Sequence, residues 1–282
     1  MLSMVERLVE PLMYVFMQRA LLAALMVGVL CSVVGCYVVL RSMAFLGDAL
    51  AHAILPGVAI AYLIHGNLTV GALIAAIVVA LGIGFVSRQG VIREDTAIGI
   101  LFAAALSLGV VLISSIQTYA VDLSHILFGN VLGVSTADLW LTGGLGLVVL
   151  LSVIVCYRPF LVISFDPVLA ATLRLPAGLL NNLMLVLLAL TIVVSLQTVG
   201  VGLVAAMLVT PAATAYLLTR RLRNMMLVSA GFGALASLVG LYISYYANVV
   251  SGAAVVLTAT VFFLLAFLFA PQRGVAWKAF RK

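Results

Sequence analysis

Two titratable side chains, Asp48 and His52, lie close together inside an apolar stretch that runs from Met43 to Ile64. A separation of four residues places both side chains on one face of a helix. If the stretch crosses a membrane, a charge there costs at least about 2.5–3.5 kcal/mol, which indicates a functional role. A carboxylate beside a neutral imidazole suits a divalent ion such as Mn²⁺, Fe²⁺ or Zn²⁺, and equally a proton relay. The alternative is a hydrogen-bonded pair that only fixes helix packing.

The composition predicts that these residues are embedded in a membrane. Hydrophobic residues make up 66% of the 282 positions and charged residues only 8%. Several apolar runs reach about 20 residues, the length of a membrane-spanning helix. A transmembrane barrel would alternate apolar and polar residues, and runs such as 21–40 do not. We therefore expect an all-α polytopic protein in which residues 1–282 form a single transmembrane domain with no soluble domain.

The apolar runs predict about nine spans, preceded by an interfacial amphipathic segment at residues 1–19. A turn is expected near Gly200, and Pro56 and Pro211 are expected to break the spans that contain them. The segment 122–136 is too short and too rich in glycine to cross, which favours a half-helix or a surface helix. The predicted spans are 20–40, 43–65, 68–87, 96–116, 138–157, 179–197, 199–218, 226–247 and 250–270.

The basic residues predict the orientation of these spans. With nine crossings, twelve of the fourteen Lys and Arg residues fall on one side, and only Arg7 and Arg19 fall on the other. Loops that are rich in Lys and Arg stay in the cytoplasm. The C-terminus is therefore expected in the cytoplasm and the N-terminus outside. The net charge of +6 then reflects orientation in the membrane, and no nucleic-acid partner is expected.

One cytoplasmic loop, residues 163–176, has the pattern of a short helix. Asp166 is placed as its N-cap, Pro167 as its first residue and Pro176 as its stop. The helix is too short to cross a membrane, and Leu169 and Leu173 give it an apolar side. It is expected either to dock into a groove of a partner protein or to rest on the lipid headgroups.

Other polar residues are weaker candidates for a role in function. His65 and His125 are predicted on the outer side, where they either receive a metal ion or are simply solvated. Glu94 and Asp95 begin a span, and we expect them to complement its helix dipole. The three cysteines all lie within apolar runs and are expected to be small buried hydrophobes.

Four stretches of the chain resemble a known family. They are Val39-Leu40-Arg41 leading into Gly47-Asp48-Ala49-Leu50-Ala51-His52-Ala53, then Glu94-Asp95-Thr96-Ala97-Ile98-Gly99-Ile100, then Phe165-Asp166-Pro167, and Leu208-Val209-Thr210-Pro211-Ala212-Ala213-Thr214-Ala215. In order and spacing they are similar to the membrane permeases of bacterial ABC importers for zinc, manganese and iron(II). The resemblance extends over roughly residues 12–270.

The resemblance implies a permease subunit in the bacterial plasma membrane. Its implied partners are a second permease, identical or related, two cytoplasmic ATPase subunits and an extracytoplasmic metal-binding protein. ATP would be bound and hydrolysed by the ATPase, and this chain would hold no permanent cofactor, only the passing metal ion. In agreement, the sequence has no Gly-x-x-x-x-Gly-Lys-Ser/Thr loop.

The resemblance also assigns roles to residues. It places contact with the cation on Asp48 and His52. It places the helix that engages the ATPase on residues 166–175, with Asp166, Pro167, Leu169, Leu173 and Arg174 as the coupling residues.

We expect Mn²⁺ as the cargo, with Zn²⁺ and Fe²⁺ as competitors. The alternative function is a proton-coupled metal carrier or channel that uses Asp48 and His52 without an ATPase. An intramembrane metalloenzyme would need three zinc ligands and a general base, as in His-Glu-x-x-His, and the sequence offers no such set.

Overall fold

The structure, a computed structural model, describes residues 10–115, 133–165 and 167–270. These residues form helices and no strand. A short 3₁₀ turn at Glu10–Met13 precedes the first α-helix. In chain order the α-helices are α1 (Val15–Leu40), α2 (Ala44–Ala53), α3 (Leu55–Leu63), α4 (Leu68–Arg88), α5 (Glu94–Ser114), α6 (Thr136–Val155), α7 (Tyr157–Phe165), α8 (Pro167–Thr172), α9 (Ala177–Val199), α10 (Val201–Leu218), α11 (Leu222–Ala247) and α12 (Ser251–Phe269).

The helices confirm a polytopic, all-helical membrane protein. Within the described residues, eight helical segments are long and apolar enough to cross a membrane, with α2 and α3 counting as one. A shorter apolar helix, Val204–Leu218, occupies the position of the remaining predicted span. The first span begins at Val15, earlier than the predicted residue 20. The predicted turn falls at Gly200, whose φ of 87° lies in the left-handed region that favours glycine.

Helix α1 packs at the centre of the bundle, against α6, α9, α10 and α11. It approaches α11 closely because glycines face each other, and a Cβ added at Gly28 would collide with the carbonyl of Gly233. Serine hydroxyls on α11 donate hydrogen bonds to α1 carbonyls: Ser229 Oγ to Ser32 O and Ser237 Oγ to Ala24 O, both at 2.9 Å. Small residues and interhelical hydrogen bonds of this kind hold helices together in a membrane.

The predicted break at Pro56 is confirmed, and the predicted break at Pro211 is wrong. Helix α2 ends before Ile54, and Pro56 occupies the first turn of α3, where its missing N–H costs little. Gly109 of α5 lies against this break, since a Cβ there would be 2.7 Å from Leu55 Cβ. Helix α10 instead continues through Pro211, because neighbouring helices stabilise such interruptions in membrane helices.

The loop at residues 163–176, which was predicted to be cytoplasmic, differs from its predicted structure. Residues 157–165 form the additional helix α7, and the short helix covers only Pro167–Thr172. The chain turns at Arg174, whose φ is 52°, so the helix ends before Pro176. Pro176 instead precedes the first residue of α9. Most of the predicted half-helix at 122–136, and residues 1–9 of the interfacial segment, lie outside the described residues.

Candidate metal site

The Asp48 and His52 side chains lie side by side on α2, as the four-residue spacing predicts. His52 Nε2 is 3.7 Å from Asp48 Oδ1, which is too long for a hydrogen bond. The two side chains are 43% exposed for Asp48 and 31% for His52. Because they are not bonded to each other and remain accessible, this geometry does not support the interpretation of a locked packing pair. Within the described part of the chain, each keeps an oxygen or nitrogen donor available for an ion.

The pair lies on the side of α2 that faces away from the core of the bundle. Leu46, Ala49 and Leu50 occupy the opposite face and are buried. This side of α2 packs on α10, and a Cβ at Gly47 would make an ordinary contact with Ala205 Cα at 3.6 Å. The polar face therefore remains open while the apolar face is fixed in the bundle.

An aromatic side chain of α5 borders the pair. The Phe102 ring centroid is 6.2 Å from the His52 ring and 5.7 Å from the Phe45 ring, which it meets at 90°. Phe45 lies on the same face of α2 as Asp48, one turn closer to α1. Sequence reasoning missed both phenylalanines. The three-residue spacing from Asp48 could have indicated Phe45, whereas the position of Phe102 depends on how α5 packs against α2.

The pair is not a complete metal site by itself. Among the described residues, no three or more His, Cys, Asp or Glu side chains come together. Mn²⁺ favours about six ligands, mostly oxygens, and the pair supplies one carboxylate and one imidazole. A metal bound here would need further ligands from beyond the described side chains, such as water or another chain.

A second polar cluster lies close to the start of α2. Arg41, the C-cap of α1, contacts both carboxylate oxygens of Glu94 at 3.4 and 3.2 Å and donates a hydrogen bond to Asn181. Its side chain is only 15% exposed. The pKa of Arg41 is lowered from its ordinary value, because the effect of burial outweighs the opposing effect of the neighbouring Glu94. Arg41 thus ties α1 to the first turns of α5 and α9.

This cluster adds a second role to the one predicted for Glu94. Glu94 does begin α5, but it pairs with Arg41 in addition to complementing the helix dipole. Both residues belong to stretches that carry the family resemblance. The presence of both residues in these stretches could have indicated that they interact, and sequence reasoning did not use it.

The positively charged loops gather at this end of the bundle. A Cβ at Gly178 would lie 2.9 Å from Arg88 Nε, which places the end of α4 beside the start of α9. Arg220 and Arg221 line a cavity of about 330 Å³ together with Leu40 at the end of α1. This arrangement agrees with the prediction that the basic loops lie on one side of the membrane. Which side faces the cytoplasm stays a prediction.

The predicted coupling residues lie apart from Asp48 and His52. Pro167 is the first residue of α8, and Leu169 and Leu173 are exposed, as Arg174 is. Asp166 lies outside the described residues. Helix α8 contacts both α7 and α9. Its exposed apolar side chains therefore lie at the junction of these two helices.

The remaining candidates do not join the pair. His65 is exposed and has a φ of 51° in the connection after α3, and His125 lies outside the described residues. Cys31 and Cys36 are buried, as predicted, and Cys156 is partly buried. Cys31 Sγ lies 3.1 Å from Ser195 Oγ, inside the core.

Known proteins are similar to almost the whole chain. The manganese transport system membrane protein MntC of Halalkalibacterium halodurans is 51% identical over 272 residues, which cover 96% of this chain and 93% of that protein. The manganese import system permease protein ScaB of Streptococcus parasanguinis is 45% identical, with 92% of each chain covered.

A solved structure supports the same relationship. The structure described as PsaBC from Streptococcus pneumoniae in complex with Fab matches with a TM-score of 0.86 and 39% identity, covering 99% of this chain and 100% of that chain. The sequence also matches the ABC 3 transport family over residues 13–270. The chain is therefore a multi-pass membrane protein that belongs to the ABC 3 transport family.

Proposed function

We propose that the chain is the permease subunit of an ATP-driven importer for Mn²⁺. The observation that carries the proposal is the half-exposed Asp48 and His52 pair on α2, in a chain whose relatives at 51% and 45% identity are named for manganese transport. The whole chain acts as one membrane domain of the bacterial plasma membrane, with its C-terminus in the cytoplasm.

The metal path is formed with a second permease subunit, either an identical copy or a related chain. If the two α2 helices face each other, two carboxylates and two imidazoles surround the path. These oxygen and nitrogen donors suit Mn²⁺. The absence of a thiolate from this set keeps the affinity moderate, because a transport site must also release its ion.

ATP is bound and hydrolysed by a dimer of separate cytoplasmic ATPase subunits. The loop from Asp166 to Arg174 docks on that dimer, with Pro167 starting the helix and the exposed Leu169 and Leu173 entering an apolar groove. Closure of the ATPase dimer then moves the loop and switches the path between outward and inward access. An extracytoplasmic metal-binding protein delivers the ion at the His65 end.

Transport by the reconstituted complex tests the metal site. Proteoliposomes with the ATPase and the metal-loaded binding protein are compared for uptake of Mn²⁺, Zn²⁺ and Fe²⁺. Because changes one shell outside a metal site already cost about 10–100-fold, Asp48→Ala is expected to lower Mn²⁺ uptake at least about 100-fold. Asp95→Ala, which removes an exposed acid at the start of α5, is the control.

The same experiment separates the alternatives. Uptake that follows a proton gradient and ignores ATP would replace this proposal with a proton-coupled carrier or channel. Faster Zn²⁺ or Fe²⁺ uptake would change the cargo. Normal uptake by Asp48→Ala would remove the metal role of the pair.

Copurification tests the docking loop. Leu169→Asp with Leu173→Asp is expected to lower recovery of the ATPase at least about tenfold, because a charge in an apolar groove costs more than 1.4 kcal/mol. Val91→Asp is the matched control, since Val91 is an exposed apolar residue of the α4–α5 loop. Equal recovery of the ATPase by both variants would contradict the docking role.

A further inference from the structure

Phe45 is an exposed aromatic residue on the face of α2 that carries Asp48 and His52. It precedes Asp48 by three residues, so it lies about 4.5 Å nearer the Arg41 end along the helix axis. Phe45 is 49% exposed, although its ring is held edge-on by Phe102 at 5.7 Å. The ring therefore has a fixed position beside the polar pair instead of a place in the core.

The rest of its helix face distinguishes Phe45 from a lipid-facing phenylalanine. Phe85 on α4 is 64% exposed, and the exposed neighbours on its face, Ile74, Val78 and Leu81, are all apolar. Such a face suits lipid. The Phe45 face instead carries an acid and a histidine, which are costly against lipid and indicate contact with water or with another chain.

We infer that Phe45, braced by Phe102, closes the metal path on the cytoplasmic side of Asp48 and His52. The inference rests on the proposed function, in which α2 faces a second permease across the path. An aromatic ring supplies no oxygen or nitrogen ligand to replace the water around Mn²⁺, and apolar constrictions block ions by excluding water. A hydrated divalent cation held by Asp48 and His52 would meet this barrier on its way inward.

The Arg41 cluster lets the two rings move as a unit. Arg41 lies three residues before α2, and its partner Glu94 is the first residue of α5. The ion pair thus links the start of the helix that carries Phe45 to the start of the helix that carries Phe102. A shift of these linked ends changes the gap at Phe45 without separating it from Phe102.

Passive leak of metal through the reconstituted complex tests the inference. Proteoliposomes with the ATPase but without ATP are loaded with a Mn²⁺-quenched dye. Phe45→Ala is expected to raise Mn²⁺ entry about tenfold, which corresponds to a barrier lowered by about 1.4 kcal/mol. Phe45→Leu, which keeps a large apolar side chain, should leak less than Phe45→Ala. Phe85→Ala is the matched control and should leak like the wild type.

ATP-driven uptake measured on the same vesicles separates the two proposals. If uptake is normal and Phe45→Ala leaks no more than Phe85→Ala, the barrier is not at Phe45 and the inference fails alone. If wild-type uptake does not depend on ATP, the proposed function fails and the inference falls with it.

Thiol labelling gives a second test that does not depend on the alanine variant. A membrane-impermeant methanethiosulfonate reagent is applied to complexes with Phe45→Cys or Phe85→Cys, and the wild type sets the background from the native cysteines. Labelling at position 45 and protection at position 85 are expected. Equal protection of both positions would place Phe45 against lipid or protein and overturn the inference.

Discussion

Two polar clusters lie at the start of the same span, and they differ in how completely the chain satisfies them. Around Arg41, two carboxylate oxygens, an amide oxygen and a sulfur lie within 3.8 Å of the guanidinium. Beside Asp48, the His52 imidazole lies 3.7 Å from the carboxylate, and both side chains are partly exposed. The first cluster is paired within the chain, and the second remains accessible.

The difference separates a structural role from the proposed binding role. A charge removed from water needs partners, because its desolvation otherwise costs several kcal/mol. Arg41 has these partners and links three helices. Among the described residues Asp48 has no hydrogen-bonded partner of this kind, so its carboxylate stays available in an apolar setting. The two clusters should therefore respond differently to mutation: the Arg41 cluster in stability, and the Asp48 pair in transport.

The largest effect is expected for Asp48→Asn, in transport alone. The substitution keeps the shape and removes the charge, and Mn²⁺ uptake should fall at least about 100-fold. The free energy of unfolding should change by no more than about 0.5 kcal/mol, as for most partly exposed side chains. Uptake and thermal unfolding in detergent are measured on the same preparation. A clear drop in unfolding temperature would place Asp48 among the structural residues and remove the contrast.

The converse result is expected for Glu94→Gln. Arg41 loses its anionic partner while remaining mostly buried, so the free energy of unfolding should fall by about 1–3 kcal/mol. Glu94 is 24% exposed, and water then stabilises the guanidinium in part, which favours the lower half of this range. Asp95→Asn, at the adjacent exposed acid, is the control in the same unfolding assay. Equal stability of both variants would mean that the Arg41 pair contributes nothing.

Local pattern was enough to predict most of the fold and the position of the Asp48 pair. Apolar runs of about 20 residues identify spans directly, because the hydrocarbon thickness sets their length. Likewise, the four-residue spacing puts Asp48 and His52 on one face whatever the helix packs against. Helix α7 was not predicted, and its Pro159 lies in the first turn, where proline is compatible with a helix.

Contacts between distant segments could not be predicted in this way. Arg41 and Glu94 are 53 residues apart, and Asn181 comes from yet another helix. Each residue alone resembles an ordinary loop charge or a helix-dipole acid, and only the packing of α1, α5 and α9 brings them together. The exposure of Asp48 also follows from packing, since it depends on which face of α2 the neighbouring helices cover.

A smaller effect is expected for Asn181→Leu, which tests the contribution of the amide contact to the Arg41 cluster. The guanidinium loses one hydrogen-bond acceptor and keeps Glu94, so the free energy of unfolding should fall by about 1 kcal/mol. The next residue provides a matched control, because Asn182 Oδ1 is buried and has no hydrogen-bond partner in the described structure. Asn182→Leu should be neutral or stabilising in the same assay. A greater loss from Asn182→Leu would contradict the assignment of the amide contact.

The smallest effect is expected when both members of the ion pair are replaced. Arg41→Met with Glu94→Met leaves no unpaired charge, and apolar replacement of buried ion pairs is often neutral or stabilising. The double variant should therefore unfold within about 1 kcal/mol of the wild type. It should also be more stable than the sum of its single variants implies, with a coupling energy of about 0.5–3 kcal/mol.

The same double-mutant cycle on Asp48 and His52 should give the opposite pattern. Because these side chains are 3.7 Å apart and accessible, their coupling energy in unfolding should be close to zero, as for exposed pairs. In Mn²⁺ binding the two substitutions should instead be strongly non-additive, since either one alone already removes a ligand from the ion. Coupling in unfolding at Asp48 and His52 as large as that at Arg41 and Glu94 would show that both clusters serve the fold.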